Sequence, residues 1–217
     1  MKKVMLIGDS IRMGYDAYTK EKLQGIAEVK YPEENCRFAE YVLRYFHEWL
    51  QRAELPYDEV DVIHWNAGLW DCLHLFDDEA MTPIDVYKGF LVRIMKRIKL
   101  LCPQAKVIFA TSTPVKKDLA KHPKSFWRRN EEIEAYNRAA KEVLEPFGVE
   151  INDLYALLKD VPESYMSDQT HYYTPEATKL VGDQVVAKIL HALDLDGAET
   201  AAVGEIEKPT DANKIGM

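Results

Sequence analysis

The sequence is short of several features that define whole classes of protein. No run approaches the roughly 20 apolar residues that a membrane-spanning helix needs. Only 3 of the 217 residues are cysteine, and none of them forms a C-x-x-C pair, so no disulfide framework is expected. A positive charge excess is missing as well. The formal net charge is −8, which argues against a nucleic-acid partner because phosphate binding needs a clustered basic surface.

Motifs for cofactors are equally scarce. No glycine-rich phosphate loop follows any predicted strand, which disfavours nucleotide binding despite the alternating pattern described below. His74 and His122 have no second ligand at metal-binding spacing, so we expect no metal site. The densest basic stretch, residues 116–129, is interrupted by Asp118 and by apolar residues, and we interpret it as a solvated loop face.

The two ends of the chain carry little that indicates targeting. The first apolar run stops at Gly8, well short of the 7–15 apolar residues of a secretory signal. We therefore interpret it as a buried first strand and expect a cytoplasmic location. The length favours one domain, which we place at residues 1–196. Residues 197–217 are small, polar and non-periodic, and a loose tail is predicted there.

What the sequence does contain is an alternation of short apolar runs with longer segments of helical periodicity. Such alternation is typical of a parallel sheet covered by helices. We predict strands near residues 3–7, 27–30, 61–65, 106–111 and 149–153. Two of these runs are continuously β-branched or aromatic, as expected for strands buried on both faces. The fold class predicted is α/β: one three-layer α/β/α domain with five parallel strands and right-handed crossovers.

Helices are predicted between the strands from apolar residues at helical spacing. One covers residues 38–49, and a second begins with Thr82 as its N-cap and Pro83 as its first residue. A third covers residues 131–144 with Asn130 as its cap, and the last begins at Thr174-Pro175. Their apolar stripes are interpreted as core packing.

Polar motifs follow the first and the last predicted strands. Gly8-Asp9-Ser10 comes directly after the first, and Asp168 and His171 lie in the loop after the fifth. Ligands of such sheets bind at the carboxyl ends of the strands, so both motifs face one rim. A serine hydroxyl needs a base within reach, and an aspartate can orient that base. The alternative for Gly8-Asp9-Ser10 is that Asp9 or Ser10 only caps the helix. The alternative for Asp168 and His171 is an ordinary solvated loop.

Two further segments reach the same rim. After the third strand, Asn66 can point its amide at an oxyanion or simply end the strand, while Gly68 makes the turn. After the second strand, in residues 33–37, a backbone N–H at the start of the next helix would face the same spot. Asn35 is a candidate there too, with a plain N-cap as the alternative.

Together these blocks resemble the GDSL or SGNH hydrolases in order and spacing, over residues 3 to about 193. The resemblance implies a flavodoxin-like three-layer fold and hydrolysis of esters or thioesters without metal or cofactor. It implies that Ser10 is the nucleophile and also donates its own N–H to the oxyanion. By the same resemblance, His171 is the general base and Asp168 is its partner.

The chain departs from the family pattern in two blocks. The third block usually reads Gly-x-Asn-Asp, whereas here Trp70 stands between Leu69 and Asp71 in place of the asparagine. Asn66 is the nearest substitute. The second block normally offers a glycine amide, and Cys36 occupies the matching position. The oxyanion hole is therefore expected from the N–H groups of Ser10 and Cys36 and from Asn66.

The function expected is a cofactor-free esterase that works through an acyl-enzyme on small-molecule esters, without insertion into membranes. Its oligomeric state is not set by the sequence. The expected pocket residues are Asp9, Asn35, Arg37, Gly68 and Trp70. Aromatic rings beside polar groups suit the faces of sugars, which favours small acyl groups such as acetate on a carbohydrate; the rings and the guanidinium expected near the rim are Trp65, Trp70, Tyr172, Tyr173 and Arg37. The alternatives are a lysophospholipase or acyl-thioesterase, and a flavodoxin-like binding module without catalysis.

Overall fold

The computed structural model describes residues 1–116 and 126–204. Seven strands are present in this part of the chain: β1 (Lys2–Ile7), β2 (Ala27–Lys30), β3 (Val62–Trp65), β4 (His74–Leu75), β5 (Lys106–Ala110), β6 (Phe126–Trp127) and β7 (Glu150–Asn152). Five of them form one sheet in the order β2-β1-β3-β5-β7, with every neighbouring pair parallel. This is the flavodoxin-like strand order, and all five predicted strands are confirmed.

Helices flank the sheet on both sides. In chain order they are α1 (Ser10–Met13), α2 (Asp16–Lys22), α3 (Ala39–Arg52), α4 (Ile84–Leu101), α5 (Asn130–Leu144), α6 (Leu154–Leu158) and α7 (Pro175–Ala192). Helices α3, α4 and α5 pack side by side, while α7 packs on α2 and on strands β3, β5 and β7. Two helical layers therefore enclose the sheet, as the sequence pattern predicts.

The core lies along the central strands. Residues 4–7 of β1 and residues 62–65 of β3 are fully buried, because helices cover both faces. The ring of Trp65 meets that of Phe109 on β5 edge to face, with centroids 4.9 Å apart. Burial of one such side chain stabilises the fold by roughly 1.5–3 kcal/mol. These contacts fix the carboxyl ends of β1 and β3, where the candidate site lies.

Two of the three predicted helix caps are wrong. Pro83 has ψ 141° and lies outside α4 as its N-cap residue, so Thr82 does not cap the helix. Asn130 is the first residue of α5, and its side chain bonds the N–H and the C=O of Val115 at 2.9 Å each. At Thr174 the prediction is confirmed: its side chain accepts the N–H of Ala177, and proline follows as the first helical residue.

A second, two-stranded sheet was not predicted. Strands β4 and β6 pair antiparallel, which sets His74 opposite Trp127. The two rings stack with centroids 4.0 Å apart and an angle of 9°. His74 Nε2 also lies 3.0 Å from Glu132 Oε2, so this histidine is a packing residue between α5 and the small sheet.

The carboxy-terminal segment is partly described. Ala201 donates its N–H to the carbonyl of Lys22 at 3.0 Å, and Ala198 packs against the core. Ala198 and Ala201 therefore contact the domain, and the loose tail predicted for residues 197–217 stays a prediction. Residues 205–217 lie outside the described residues, as do His122 and positions 117–125 of the basic stretch. None of the described helices is long and apolar enough to cross a membrane.

Candidate active site

Ser10 stands at the turn between β1 and α1. Asp9 is the N-cap of α1, and its Oδ1 accepts the N–H of Ile11 at 2.9 Å. Capping is therefore done by Asp9, which leaves the hydroxyl of Ser10 free for another partner. As the first residue of a helix, Ser10 has no intrahelical acceptor for its own N–H.

His171 meets Ser10 from the other end of the chain. Its Nε2 lies 2.8 Å from Ser10 Oγ, across 161 positions of sequence. Its Nδ1 lies 2.7 Å from Asp168 Oδ2. The serine, the imidazole and the carboxylate thus form one continuous hydrogen-bonded chain at the carboxyl edge of the sheet.

The loop that carries His171 is held by hydrogen bonds within the loop. Asp168 Oδ1 accepts the N–H groups of Thr170 at 2.7 Å and of His171 at 2.8 Å. Ser167 donates its N–H to the carbonyl of His171 at 2.9 Å. Partial burial of Asp168 acts to raise its pKa, but the hydrogen bonds from His171 and from these N–H groups outweigh burial and hold the pKa well below its usual value. The carboxylate is therefore ionised at neutral pH.

This arrangement sets the tautomer of the imidazole. An ionised Asp168 accepts a hydrogen bond from the N–H at Nδ1. The other nitrogen, Nε2, then has a lone pair directed at the Ser10 hydroxyl. A serine with a base at this distance can lose its proton as it attacks an electrophile, and the resulting imidazolium is stabilised by the carboxylate. The chemistry available here is acyl transfer through the serine.

Asn66 lies at the end of β3, next to β1. Its N–H donates to the carbonyl of Ile7 at 3.0 Å, and its side chain packs against Gly8 so closely that an added β-carbon at Gly8 would lie 1.8 Å from Asn66 Oδ1. Asn66 is 3% exposed. The side-chain amide lies beside Asp9, the residue that precedes Ser10.

The turn after Asn66 requires glycine at position 68. Gly68 has φ +138°, and a β-carbon there would lie 2.7 Å from Ser112 Oγ and 3.0 Å from the Tyr87 hydroxyl. Both steric space and backbone conformation therefore exclude a side chain. Gly68 shapes the loop that presents Trp70, which is half-buried at the rim.

The expectation for Cys36 does not fit the geometry. Its N–H donates to the carbonyl of Gly8 at 3.0 Å, so that donor is already engaged and does not face an oxyanion. Asn35 is not an N-cap either, because α3 begins only at Ala39. Its Oδ1 accepts the N–H of Arg37 at 2.8 Å, which supports the left-handed conformation of Arg37 (φ 51°).

Several residues expected at the rim are buried beneath it. Asp9 is fully buried, and burial raises its pKa, so it lines no pocket. Trp65 is in the core, and Tyr172 is buried with its hydroxyl on the carbonyl of Pro114 at 3.0 Å. The side chains that remain partly exposed, and so available to a ligand, are those of Arg37, Trp70 and Tyr173.

Sequence reasoning missed the role of Asp71. This buried carboxylate accepts the N–H of Ala39, the first residue of α3, with N···O distances of 3.2 and 3.1 Å. It ties the loop after β3 to the segment after β2. Burial raises the pKa of Asp71 from 3.8 to about 7, although its hydrogen bonds to Ala39 and Thr82 act in the opposite direction. The position of Asp71 at the end of the Gly68–Asp71 block was the only sequence signal for this role.

Metal chemistry finds no ligand set in the described part of the chain. Within residues 1–116 and 126–204, no group of three or more His, Cys, Asp or Glu side chains is placed to hold a metal ion.

Comparison with solved structures shows which proteins share this architecture. A lipase/acylhydrolase from Enterococcus faecalis superposes with a TM-score of 0.65 at 18% identity, covering 87% of this chain and 95% of that one. A carbohydrate esterase family 3 protein from Talaromyces cellulolyticus gives 0.66 at 16% identity, covering 89% and 99%. An acetylxylan esterase from Geobacillus stearothermophilus gives 0.64 at 15% identity, covering 87% and 94%.

The similarity is one of fold. No family model matches the chain, and no curated protein matches it significantly. The structures above match nearly end to end at identities below 20%. The chain therefore has the three-layer α/β/α fold that GDSL-type lipases and acetylxylan esterases also have.

Proposed function

We propose that this protein is a serine esterase that hydrolyses carboxylic esters of small acyl groups through an acyl-enzyme. One observation carries the proposal: Ser10 Oγ lies 2.8 Å from His171 Nε2, and His171 Nδ1 lies 2.7 Å from Asp168 Oδ2. The strand order brings the two loops to one edge of the sheet, but it does not by itself place Ser10 Oγ within hydrogen-bonding distance of His171 Nε2. The fold shared with lipases and esterases supports the same reaction class.

In the first half-reaction, Ser10 Oγ attacks the ester carbonyl carbon while His171 Nε2 takes the hydroxyl proton. The carbonyl electrons move to oxygen, and we assign that negative charge to the N–H of Ser10 and to the amide of Asn66. The tetrahedral intermediate then expels the alcohol, which takes the proton from His171. Asp168 stabilises the imidazolium meanwhile.

In the second half-reaction, water takes the place of the alcohol. His171 removes one proton from the water as its oxygen attacks the acyl carbon. The intermediate collapses to the free carboxylic acid, and Ser10 recovers its proton from His171. No other reactant is required, and each group returns to its starting state.

For the substrate we favour acetate esters on a carbohydrate. Solved structures with this fold include acetylxylan esterases. At the rim, Trp70 and Arg37 are partly exposed, and the bond from Ala39 to Asp71 holds their two segments together. The Arg37 guanidinium is steadied over the ring of Tyr41 at 5.2 Å. An indole face and a fixed guanidinium suit the apolar face and the hydroxyls of a sugar.

The test compares purified variants on p-nitrophenyl esters of two, four, eight and sixteen carbons. The wild type should prefer acetate, and Ser10→Ala and His171→Ala should each lower kcat by at least about 10³-fold. Ser164→Ala is the matched control, because Ser164 is an exposed serine on the turn Glu163–Tyr165.

The outcomes separate the alternatives. Preference for long acyl chains, or for acyl-CoA and lysophospholipid over acetylated xylo-oligosaccharides, would show that the enzyme is a lysophospholipase or a thioesterase and not an acetyl esterase. If the wild type turns over no ester, the remaining alternative is a flavodoxin-like binding module without catalysis. Turnover that survives in Ser10→Ala would remove Ser10 from the mechanism.

A further inference from the structure

Tyr173 contacts both halves of the hydrogen-bonded chain. Its hydroxyl donates to the carbonyl of Ser10 at 2.5 Å. Its ring stacks on the imidazole of His171, with centroids 4.8 Å apart and an angle of 24°. One side chain thus contacts the backbone of the residue that carries the hydroxyl and the ring of the residue that carries the base.

The bond to Ser10 replaces one that the short helix α1 does not make. In a regular helix the carbonyl of Ser10 would accept the N–H of Gly14. Here the N–H of Gly14 turns to Ile11 and Arg12 instead. The phenol of Tyr173 donates to the carbonyl of Ser10 in place of Gly14. A residue 163 positions away therefore anchors the turn that bears Ser10.

The stack acts on the imidazole. The imidazole is held at its edge by Asp168 on Nδ1 and by Ser10 on Nε2, and neither hydrogen bond supports the face of the ring. A second ring packed on that face restricts tilting of the imidazole, which keeps Nε2 directed at Ser10 Oγ. Burial raises the pKa of the Tyr173 phenol above its usual value, so it stays protonated and remains a donor.

The backbone makes room for this tyrosine at Gly14. A β-carbon on Gly14 would lie 2.8 Å from ring atoms Cδ1 and Cε1 of Tyr173. Gly14 has φ −73°, a conformation open to any residue, so its small size, rather than its conformational freedom, is what the ring requires.

From these contacts we infer that Tyr173 is a positioning residue for proton transfer between Ser10 and His171. The inference rests on the proposed function, because it assigns Tyr173 a part in that reaction. Loss of the phenol hydroxyl lets the Ser10 turn shift relative to the histidine loop. Displacement by a fraction of an ångström lowers the rate of the chemical steps without changing how the ester is bound.

The experiment compares Tyr173→Phe with Tyr172→Phe on p-nitrophenyl acetate. Tyr172 is the matched control: it is the adjacent residue, it is buried, and its hydroxyl donates to the carbonyl of Pro114 instead of that of Ser10. We expect Tyr173→Phe to lower kcat about tenfold with KM within twofold of wild type. Tyr172→Phe should lower Tm by about as much as Tyr173→Phe does and leave kcat within twofold of wild type. Tyr173→Leu, which also loses the stack, should lower kcat by roughly a further tenfold.

A purely structural role would give a different pattern. If both phenylalanine variants lower kcat in proportion to their loss of Tm, or if Tyr173→Phe keeps wild-type kcat, the inference is wrong. Failure of the proposed function is distinguished by the wild type and Ser10→Ala in the same assay. Equal turnover by those two proteins refutes the mechanism itself, whatever Tyr173 does.

Discussion

Asp71 accepts the N–H of Ala39 with both oxygens of a fully buried carboxylate, at 3.2 and 3.1 Å. Ala39 begins α3, and a helix leaves its first N–H groups without intrahelical partners. A side chain from the loop after β3 therefore completes this helix end. The same contact aligns the two segments that carry Arg37 and Trp70.

The raised pKa of Asp71 predicts a pH-dependent stability. The folded state keeps the proton up to about pH 7, whereas the unfolded chain releases it near pH 4. The contribution of Asp71 to stability is thus fully present below about pH 4 and is lost as the pH rises to 7. Relative to Asp71→Asn, the wild type should lose up to about 4 kcal/mol of unfolding free energy across this window. Urea denaturation at several pH values measures it.

The control for this experiment is Asp85→Asn, since Asp85 is an exposed aspartate in the first turn of α4. That variant should not show the loss of about 4 kcal/mol that separates wild type from Asp71→Asn. A difference between wild type and Asp71→Asn that does not change between pH 4 and 7 would show that Asp71 is ionised throughout.

Asp168 is predicted to act through the tautomer of His171. In Asp168→Asn the amide can donate to Nδ1, which moves the imidazole proton to Nε2 and removes the acceptor facing Ser10. We expect kcat on p-nitrophenyl acetate to fall by about 10²–10⁴-fold with little change in KM. Asp160→Asn, an exposed aspartate outside the loop, should match the wild type. Equal kcat in both variants would contradict the orienting role of Asp168.

Asn66 is predicted to stabilise the oxyanion. Asn66→Ala removes the side-chain amide beside Asp9, and the loss of one such donor costs about 10²–10³-fold in kcat. Asn130→Ala serves as the control, because the Asn130 amide bonds the backbone of Val115 and no residue of the proposed triad. It should lower Tm without changing kcat. A kcat for Asn66→Ala within threefold of wild type would mean that other donors hold the charge.

Gly14 offers an independent route to Tyr173. Gly14→Ala places a methyl group 2.8 Å from the tyrosine ring, so the ring must move and kcat should fall about tenfold. Gly89→Ala is the comparison, because Gly89 lies in α4 with nothing within 4 Å of an added β-carbon. That change should stabilise the helix slightly and leave turnover unchanged. Steady-state kinetics and thermal melts of both variants decide the question.

The central architecture was predictable because its signals are local. Strand β3 reads Val-Ile-His-Trp, a run typical of a strand buried on both faces, and its neighbours follow the same pattern. The arrival of Ser10 and His171 at one edge then follows from topology, since both loops leave the carboxyl ends of strands in one parallel sheet.

What was missed depends on hydrogen bonds that sequence patterns do not encode. The N–H of Cys36 bonds Gly8, and nothing in the residue types distinguishes that acceptor from an oxyanion. Asn130 holds Val115 instead of capping α5 because a loop happens to lie within its reach. Strands β4 and β6 contain two residues each, too few to show any periodicity.

The account depends on Ser10 being the nucleophile, and a fluorophosphonate probe tests that directly. The serine oxygen displaces fluoride from phosphorus, and the peptide that carries the adduct is identified by mass spectrometry. The account predicts one adduct per chain, on Ser10, absent from Ser10→Ala and formed much more slowly in His171→Ala. An adduct on another serine, or equal labelling of Ser10→Ala, would contradict it.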